Sequence, residues 1–361
     1  MVLRFLIALG GHVRAATTAF YRRSRGACKQ ASCMVMLAAW GSGLTGCSGS
    51  QQNASGVLCQ TDVWLATKGL RVLCTTAQIA DLAAFIVGEE GAVLTLILGD
   101  LDPHSYQLVK GDDEKLQAAD LVIGNGLGLE HGPSLQHFLL HSPKALLVGN
   151  QLLKSYGDQI LYLEGQIDPH IWLDVALWSE IAPMIAEALG KLDEAHAVLF
   201  RERAQQLQQQ MKELDSAIFK RLQGVPKERR YLVTSHDAFN YFVRKYLATD
   251  QDRRDGSWSA RLCAPEGLAP EGQLGLHDIQ RVLEFCSAHD VQVLFPESNV
   301  SQMALRKVLD VGLSRGLHLR IASHPLYGDT MGQIRSCGSV AAYQSMMEEN
   351  AKTLTMEWSS L

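Results

Sequence analysis

The chain lacks any surplus of positive charge. Its 33 Lys and Arg stand against 38 Asp and Glu, for a net charge of −5 and a pI near 6.2. It therefore carries no electrostatic footprint for nucleic acid. It also lacks low-complexity tracts and any short fixed-period repeat, which excludes a solenoid. The apolar stretch over residues 31–44, about 14 residues, is too short to cross a bilayer as a helix. No Cys-x-x-Cys pair occurs beyond residue 47, which argues against a thiolate metal site. What remains is ordinary globular composition: 361 residues, 47% hydrophobic and 20% charged, a length that suggests two domains or lobes.

The first residues read differently from the rest. Arg22, Arg23, Arg25 and Lys29 precede the apolar stretch, the order of an export signal. The stretch ends Leu44-Thr45-Gly46-Cys47, which resembles the lipobox of bacterial lipoproteins, where the signal is cut before a cysteine that then carries lipid. The competing reading is a plain signal with a chance cysteine. The segment before Arg22 is longer than such signals need, as an early start codon would produce. A start at Met34 would remove the basic region. The expectation is a signal over 1–46, lipidation at Cys47 and a Ser/Gln/Asn/Gly-rich flexible tether over 47–69. Five cysteines follow: Cys59, Cys74, Cys263, Cys286 and Cys337. The number is odd, so at least one is free or pairs outside the chain. Cys74 sits in an apolar strand and reads as a small buried hydrophobe.

From residue 70 the pattern alternates apolar strands with amphipathic helices, the signature of an α/β layer with a parallel sheet. Strands are predicted at 70–76, 93–98, 120–125 and 145–148, with helices over 77–87, 111–119 and 171–189. Residues 192–222 hold a helical pattern without Gly or Pro, with Val198, Leu199, Ala204, Leu207, Met211, Leu214 and Ile218 as its apolar stripe. At 1.5 Å per residue that is roughly 45 Å. A coiled-coil dimer is the competitor, but the stripe lacks sustained heptads. A second α/β set follows: strands at 231–234, 291–295 and 317–322, helices at 238–247, 276–289, 301–313 and 339–354, and a loop-like stretch at 249–275. Ser301 is the expected N-cap of its helix. The reading is two parallel-sheet α/β lobes, 70–190 and 224–361, joined by one long rigid helix at 191–223.

Chemistry concentrates at four loop tips. Asp102-Pro103-His104 and Asp168-Pro169-His170 are near-copies; Thr234-Ser235-His236-Asp237 and Tyr327-Gly328-Asp329 follow. His104 falls just past the carboxyl end of a strand, where open parallel sheets bind ligands. Three imidazoles and one carboxylate suit borderline first-row cations such as zinc, manganese or iron. A hydrolytic His-Glu-x-x-His helix keeps its ligands local and one position open. Here each ligand comes from a different loop, which suits capture. Proline stiffens each early loop, and the preceding Asp102 or Asp168 is placed to accept the other ring N–H and set the tautomer. Asp237 and Glu297 are further supporting candidates. His131, His137 and His141 lie with Glu130 in a polar stretch and read as solvated surface groups, with an accessory metal-collecting patch as the competing reading. Contiguous Ser235, His236 and Asp237 cannot line up as a catalytic triad.

These motifs resemble the metal-binding lipoproteins of bacterial ABC importers for zinc, manganese and iron, the cluster A-I solute-binding proteins. The resemblance runs from about Leu70 to the C-terminus. It rests on Asp-Pro-His-Ser-Tyr106, Leu-Gln-Ala-Ala-Asp-Leu-Val122, Asn-Gly-Leu-Gly-Leu-Glu130, Asp-Pro-His-Ile-Trp-Leu-Asp174, Thr-Ser-His-Asp-Ala-Phe239 and Glu-Ser-Asn-Val-Ser301. It implies two α/β lobes joined by a long helix, one metal between them, and His104, His170, His236 and Asp329 as ligands. It also implies a non-enzymatic, monomeric receptor, exported, lipid-anchored in the cell envelope, that delivers its ion to a membrane permease with a cytoplasmic ATPase. Gln107-Leu108 replaces the usual Glu-Pro, and Tyr-Gly-Asp-Thr-Met-Gly332 is looser than the usual Ser/Thr-Asp-x-Leu-Gly. The long acidic, His-rich loop of zinc-specific members is missing, and His236 stands where some manganese-specific members carry glutamate. The rival readings are a zinc-dependent hydrolase with Glu297 as base, and an adhesin with a structural metal.

Overall fold

The computed structural model describes residues 60–270, 274–331 and 341–360. The signal, Cys47, Cys59 and Cys337 lie outside the described residues. Gln60–Leu65, expected within a flexible stretch, is a helix whose Trp64 is buried and donates its indole N–H to the Val72 and Ala92 carbonyls at 3.2 and 3.1 Å.

β1 (Leu70–Cys74) and β2 (Gly91–Thr95) flank the helix Ala77–Val87; β3 (Leu121–Gly124) and β4 (Ala145–Leu147) follow. They form a wholly parallel sheet in the order β2-β1-β3-β4, with Leu70 paired to Gly91, Val72 to Leu121 and Val122 to Ala145. β3 is buried along its whole length, as its unbroken apolar run requires when helices cover both faces. A hairpin of β5 (Tyr162–Leu163) and β6 (Gln166–Ile167) then leads straight into the second Asp-Pro-His.

The predicted helix over 171–189 is broken. His170 is followed by a single tight turn, Ile171–Leu173, before the helices Val175–Ser179 and Ile181–Leu192. Asp174 is the cause: its carboxylate accepts the Ala176 and Leu177 N–H groups and starts a new helix. The long helix runs Ala197–Gln223, 27 residues or about 40 Å. Its buried stripe is Phe200, Ala204, Leu207, Met211, Leu214, Ile218 and Leu222, whereas Val198 is 59% exposed. From Ala204 to Ile218 this is the stripe read from the sequence; only its start differs, at Phe200 instead of the exposed Val198 and half-buried Leu199. It is consumed within the chain, against Ala77–Val87, Val175–Ser179, Ile181–Leu192 and the final helix Ala341–Ser359.

In the second half, β7 (Leu232–Val233) pairs with β8 (Leu262–Cys263), and β9 (Val293–Leu294) with β10 (Arg320–Ile321), all parallel. The Phe295 N–H donates to the Val233 carbonyl at 2.8 Å and stitches the two ladders together. The stretch read as a loop over 249–275 holds the helix Asp250–Asp255, closed by a Thr249/Asp252 capping box, a turn at Ser257–Arg261, and β8. Its strong local charge and two-residue strand hide these elements from periodicity. Residues 240–247 form a short α turn that widens to a π turn at Val243–Leu247. The helix after Ser301 starts at Met303; Ser301 Oγ accepts the Met303 N–H at 3.3 Å, but Gln302 holds the cap position. Cys74, Cys263 and Cys286 are buried thiols.

One apolar core runs through both halves: Ile79 and Ile86, then Leu207 and Met211, then Phe239, Phe242, Tyr246 and Met346 belong to a single buried cluster. If Phe200 anchors the long helix, Phe200→Ala should cost about 3–5 kcal/mol, while Val198→Ala should stay within about 0.5 kcal/mol. Denaturant unfolding followed by circular dichroism measures both; equal costs would return the start of the stripe to Val198.

Candidate metal centre

Each of the four loop tips is fixed by its own local bonds. Asp102 Oδ1 accepts the His104 N–H at 2.8 Å and Oδ2 accepts the Ser105 hydroxyl at 2.7 Å, which closes the first turn. The strand-end loop continues to Asp112, whose Oδ2 accepts both the Tyr106 hydroxyl and the Val109 N–H. In the second copy Asp168 Oδ1 accepts the His170 N–H at 2.9 Å and also faces the ring Nδ1 at 2.6 Å. The expected ring-orienting role is thus visible at Asp168, while the bonds of Asp102 go to backbone and Ser105. Asp237 bonds to Asn240 and through its N–H to the Gly267 carbonyl. The carboxylate beside His236 is Glu297: Oε1 accepts the His236 N–H at 2.9 Å, and Oε2 lies 2.9 Å from Nδ1.

The four ligand candidates converge. His104, His170, His236 and Asp329 each offer one ligand atom, all within 4.8 Å of one another, and all four residues are at most 2% exposed. His104 Nε2 is 3.3 Å from His170 Nε2; Asp329 Oδ1 is 3.3 Å from His170 Nε2, and Oδ2 lies 3.2 Å from His236 Nε2 and 3.9 Å from His104 Nε2. Four donors on one tetrahedral ion at about 2.1 Å would stand roughly 3.4 Å apart. Both ring nitrogens of His236, Asp329 Oδ1 and Glu297 Oε2 are buried without an aligned hydrogen bond. A cation at the common point would satisfy His236 Nε2 and Asp329 Oδ1 directly.

The electrostatics point the same way. Burial opposes charge on His170, but the Asp168 and Asp329 carboxylates outweigh it and hold its pKa up to about 9. Burial opposes charge on His236 too, and Glu297 with Asp329 holds it well above the ordinary imidazole value. His104 goes the other way: burial drives it down to about 3. Burial would raise the Asp329 carboxyl, yet His236 and His170 keep it well below the carboxylate range. A fixed carboxylate thus stands ready among the rings.

Several residues that position the site were missed from the sequence. Glu130, read as part of a polar surface stretch, is buried: it accepts from Thr75 Oγ1 and the Asn125 and Gly126 N–H groups at 2.6–2.9 Å. Asn125 in turn donates to the Pro169 carbonyl at 3.0 Å and steadies the second Asp-Pro-His. Gln78 donates to the Asp329 carbonyl at 2.7 Å and the Trp172 indole to the Gly328 carbonyl at 2.9 Å. The signal available was Glu130 at the end of an apolar Gly-rich turn, where an unpaired carboxylate would be costly. His137 and His141 stack on the exposed face of Pro133–His141, away from the four ligands, whereas His131 is half-buried.

A parallel-sheet α/β fold in two halves, bridged by a long helix and carrying a buried three-imidazole, one-carboxylate cluster, defines a metal-binding solute receptor. The sequence profile described as zinc-uptake complex component A, periplasmic, matches residues 72–357, and the chain belongs to that family. It is 39% identical over 292 residues to the metal-binding protein YtgA of Chlamydia trachomatis, covering 81% of this chain and 87% of that protein. It is 30% identical to the manganese-binding lipoprotein MntA of Bacillus subtilis, over 80% of this chain and 90% of that one. Among solved structures, Fe(III)-bound YtgA matches with a TM-score of 0.74 over 80% of this chain and 97% of that one, at 39% identity. The zinc-binding protein TroA of Treponema pallidum matches with a TM-score of 0.70 and 31% identity, over 80% and 98% of the two chains.

Gly328 tests the supporting geometry. A Cβ there would stand 2.5 Å from Glu297 Oε2, whereas one at Gly267 meets nothing within 4 Å. Gly328→Ala should displace Glu297 from His236 and lower metal affinity by about 10–100-fold, the usual cost of losing a supporting partner. Gly267→Ala should leave titration isotherms as in the wild type; equal affinities for the two variants would remove Glu297 from the account.

Proposed function

We propose that the chain is the extracytoplasmic, lipid-anchored receptor of an ABC importer, and that it captures one first-row transition ion on His104, His170, His236 and Asp329. The observation that carries the reading is the convergence of four buried ligand atoms within 4.8 Å, drawn from four separate loops. The names of its relatives carry manganese, zinc and ferric iron, and the donor set of three imidazoles and one carboxylate accepts zinc, manganese or iron. Glu297 supports transport over hydrolysis. A hydrolase would need it as a free base, and here both of its oxygens face His236. The lobes are taken as 70–190 and 224–361 with residues 191–223 between them, the anchor as a lipid on Cys47, and the delivery partner as a membrane permease with its ATPase. The receptor acts as a monomer, since the long helix spends its apolar stripe inside the chain. A structural metal is disfavoured by the large shared core, which stands without help from the site.

The test is protein purified from its native envelope without chelators, followed by elemental analysis. Wild type should carry close to one zinc, manganese or iron per chain; His170→Ala should carry almost none; Cys47→Ala should leave the membrane fraction while keeping its metal. Chelator-stripped wild type should remain folded by circular dichroism. A stripped chain that unfolds would favour the structural-metal reading, and full metal content in His170→Ala would sink the ligand assignment.

The pH dependence follows from the raised histidines. Ligation needs neutral imidazoles. In the ion-free chain His170 holds its proton up to about pH 9, and His236 also titrates above the ordinary range, while His104 is already neutral. Incoming metal must therefore expel protons from His170 and His236. Affinity should climb as pH rises from about 6 towards 9, instead of levelling off just above the ordinary imidazole value of about 6.5. Calorimetry in buffers of different ionisation enthalpy should show net proton release near neutral pH. Buffer-independent heats would contradict the raised values.

A further inference from the structure

The helix Pro133–His141 carries two imidazoles on its solvent side. His137 and His141 stand one helical turn apart, so they lie one above the other on one face. Both are exposed, while Leu135 and Leu139 of the same helix are buried and hold it against the protein. The two ring centres are 4.4 Å apart, with the planes 30° from parallel. That is closer than any two of the buried ligand histidines, whose ring centres are 5.3, 5.4 and 6.3 Å apart.

Ring separation sets the angle at a shared ion. With metal–nitrogen bonds of about 2.1 Å, each ring centre stands about 3.2 Å from the ion. Centres 5.3 and 5.4 Å apart, as between His170 and each neighbour in the buried cluster, then subtend roughly 110–115°. This is close to the tetrahedral value. Centres 4.4 Å apart subtend about 90°. This is the angle between neighbouring ligands of a tetragonal ion, the geometry of Cu²⁺ bound by nitrogen and oxygen, and Cu²⁺ also heads the affinity order of the divalent first-row ions. Exposed side chains turn in picoseconds to nanoseconds, so the lone pairs converge without moving the helix.

The surroundings suit a cation. His141 Nδ1 lies 2.8 Å from the His137 carbonyl. A carbonyl only accepts, so Nδ1 carries the proton and Nε2 the lone pair that ligates metal. His141 is the last residue of the helix and His137 sits one turn before it. The carbonyl end of a helix favours positive charge. The helix itself contains no Lys or Arg. The ammonium of nearby Lys144 is taken up by the Gln117 and Ala119 carbonyls at 3.0 and 2.9 Å.

We propose that His137 and His141 form a second metal site, on the solvent face of their helix, that takes Cu²⁺ between two neighbouring imidazoles with water in the remaining positions. Two protein ligands and open water positions make it weaker and faster to exchange than the buried centre. The two sites share no residue, so both are filled at once. The surface site does not rest on the receptor reading.

The experiment is titration of the stripped full-length chain with Cu²⁺, followed by equilibrium dialysis and electron paramagnetic resonance. Wild type should bind two Cu²⁺ per chain, the weaker one giving an axial signal split by two nitrogens. His137→Ala and His141→Ala should each retain the tighter ion and weaken the other about 100-fold, because a lone imidazole loses the intramolecular closure of the pair. His318→Ala, at an exposed histidine elsewhere, should keep both ions. A wild-type chain without the axial signal would overturn the surface site, as would a signal that survives either of the two substitutions. Zn²⁺ loading of the buried centre should stay at the wild-type level in His137→Ala and His141→Ala; its loss in either would tie these rings to the buried centre and overturn their independence. An axial signal present in a wild type whose buried centre binds nothing would instead strike the receptor reading and leave the surface site standing.

Discussion

A carboxylate buried among three imidazoles governs the whole arrangement. Asp329 is 2% exposed and its ligand oxygens face His170 and His236 at 3.3 and 3.2 Å. Removing such a charge from water is costly unless positive charge stands beside it. In the ion-free chain that charge comes from protons on His170 and His236; in the loaded chain it comes from the metal. Metal and protons therefore compete for one electrostatic place. The site keeps its charge balance whether empty or filled, which lets a receptor cycle without unfolding. Asp168 and Glu297 tune the competition, because each sits at the far nitrogen of a ligand ring, at 2.6 and 2.9 Å. His104 has no such carboxylate bond to its ring and is driven neutral by burial. One of the three rings is thus ready to accept a cation before any proton has left.

The fold exists to hold those groups against one another. Glu297 is pinned by a short extension of the second sheet, in which it bridges Leu326 and brings the 326–329 segment alongside. That segment is then tied from the other half by Gln78 and Trp172, and from the final helix by Asn350 through the Tyr327 N–H and carbonyl. A chain of backbone and side-chain bonds so runs from the helix Ala77–Val87 to the last helix through the site. Gly328 stays a glycine because a side chain there would collide with Glu297. The two Asp-Pro-His copies look alike in sequence, yet only the second aspartate reaches its ring. In both copies Oδ1 accepts the histidine N–H, and Asp102 Oδ2 also accepts the Ser105 hydroxyl, a partner that Ile171 does not offer Asp168.

Much of this was legible in the chain before its fold was known, and the pattern of what was not is physical. The four residues that converge could be picked out because each stands where an apolar run ends at a turn, and because an imidazole and a proline after an aspartate are rarely combined without reason. The parallel sheet was legible through the unbroken apolar strands. The short strands of the second half, two residues each, were read longer, because the flanking apolar residues such as Phe295 and Ala322 each add a single inter-strand backbone bond without lengthening the paired ladder. The stretch over 249–275 was read as loop because its helix is held by charges and a capping box, features without a hydrophobic period. The stripe of the long helix was legible from Ala204 to Ile218, and only its start was misplaced, because Val198 and Leu199 are as apolar as Phe200 and the neighbouring helices decide which faces inwards. Glu130 could not be seen as a buried clamp, since its partners are backbone N–H groups that no side-chain pattern records.

The shared core sets how the ion can leave. Residues from the helix Ala77–Val87, the long helix and the second half pack into one buried cluster, with Phe239, Phe242 and Tyr246 fully enclosed. A wide hinge between the halves would bring those rings into water, at about 25 cal/mol for each Å² uncovered, and nothing in a polar ion's departure offsets that. Small displacements of loop tips cost far less. The 326–329 segment is held across the halves by two hydrogen bonds, to Gln78 and the Trp172 indole, each worth on the order of 1 kcal/mol net. Withdrawing Asp329 by breaking them removes the one anionic ligand, and the imidazoles it leaves behind compete poorly for a cation against incoming protons. The easily broken contacts thus lie at the carboxylate and the costly ones in the core beneath the histidines, so a shift of the 326–329 segment takes less free energy than a separation of the halves.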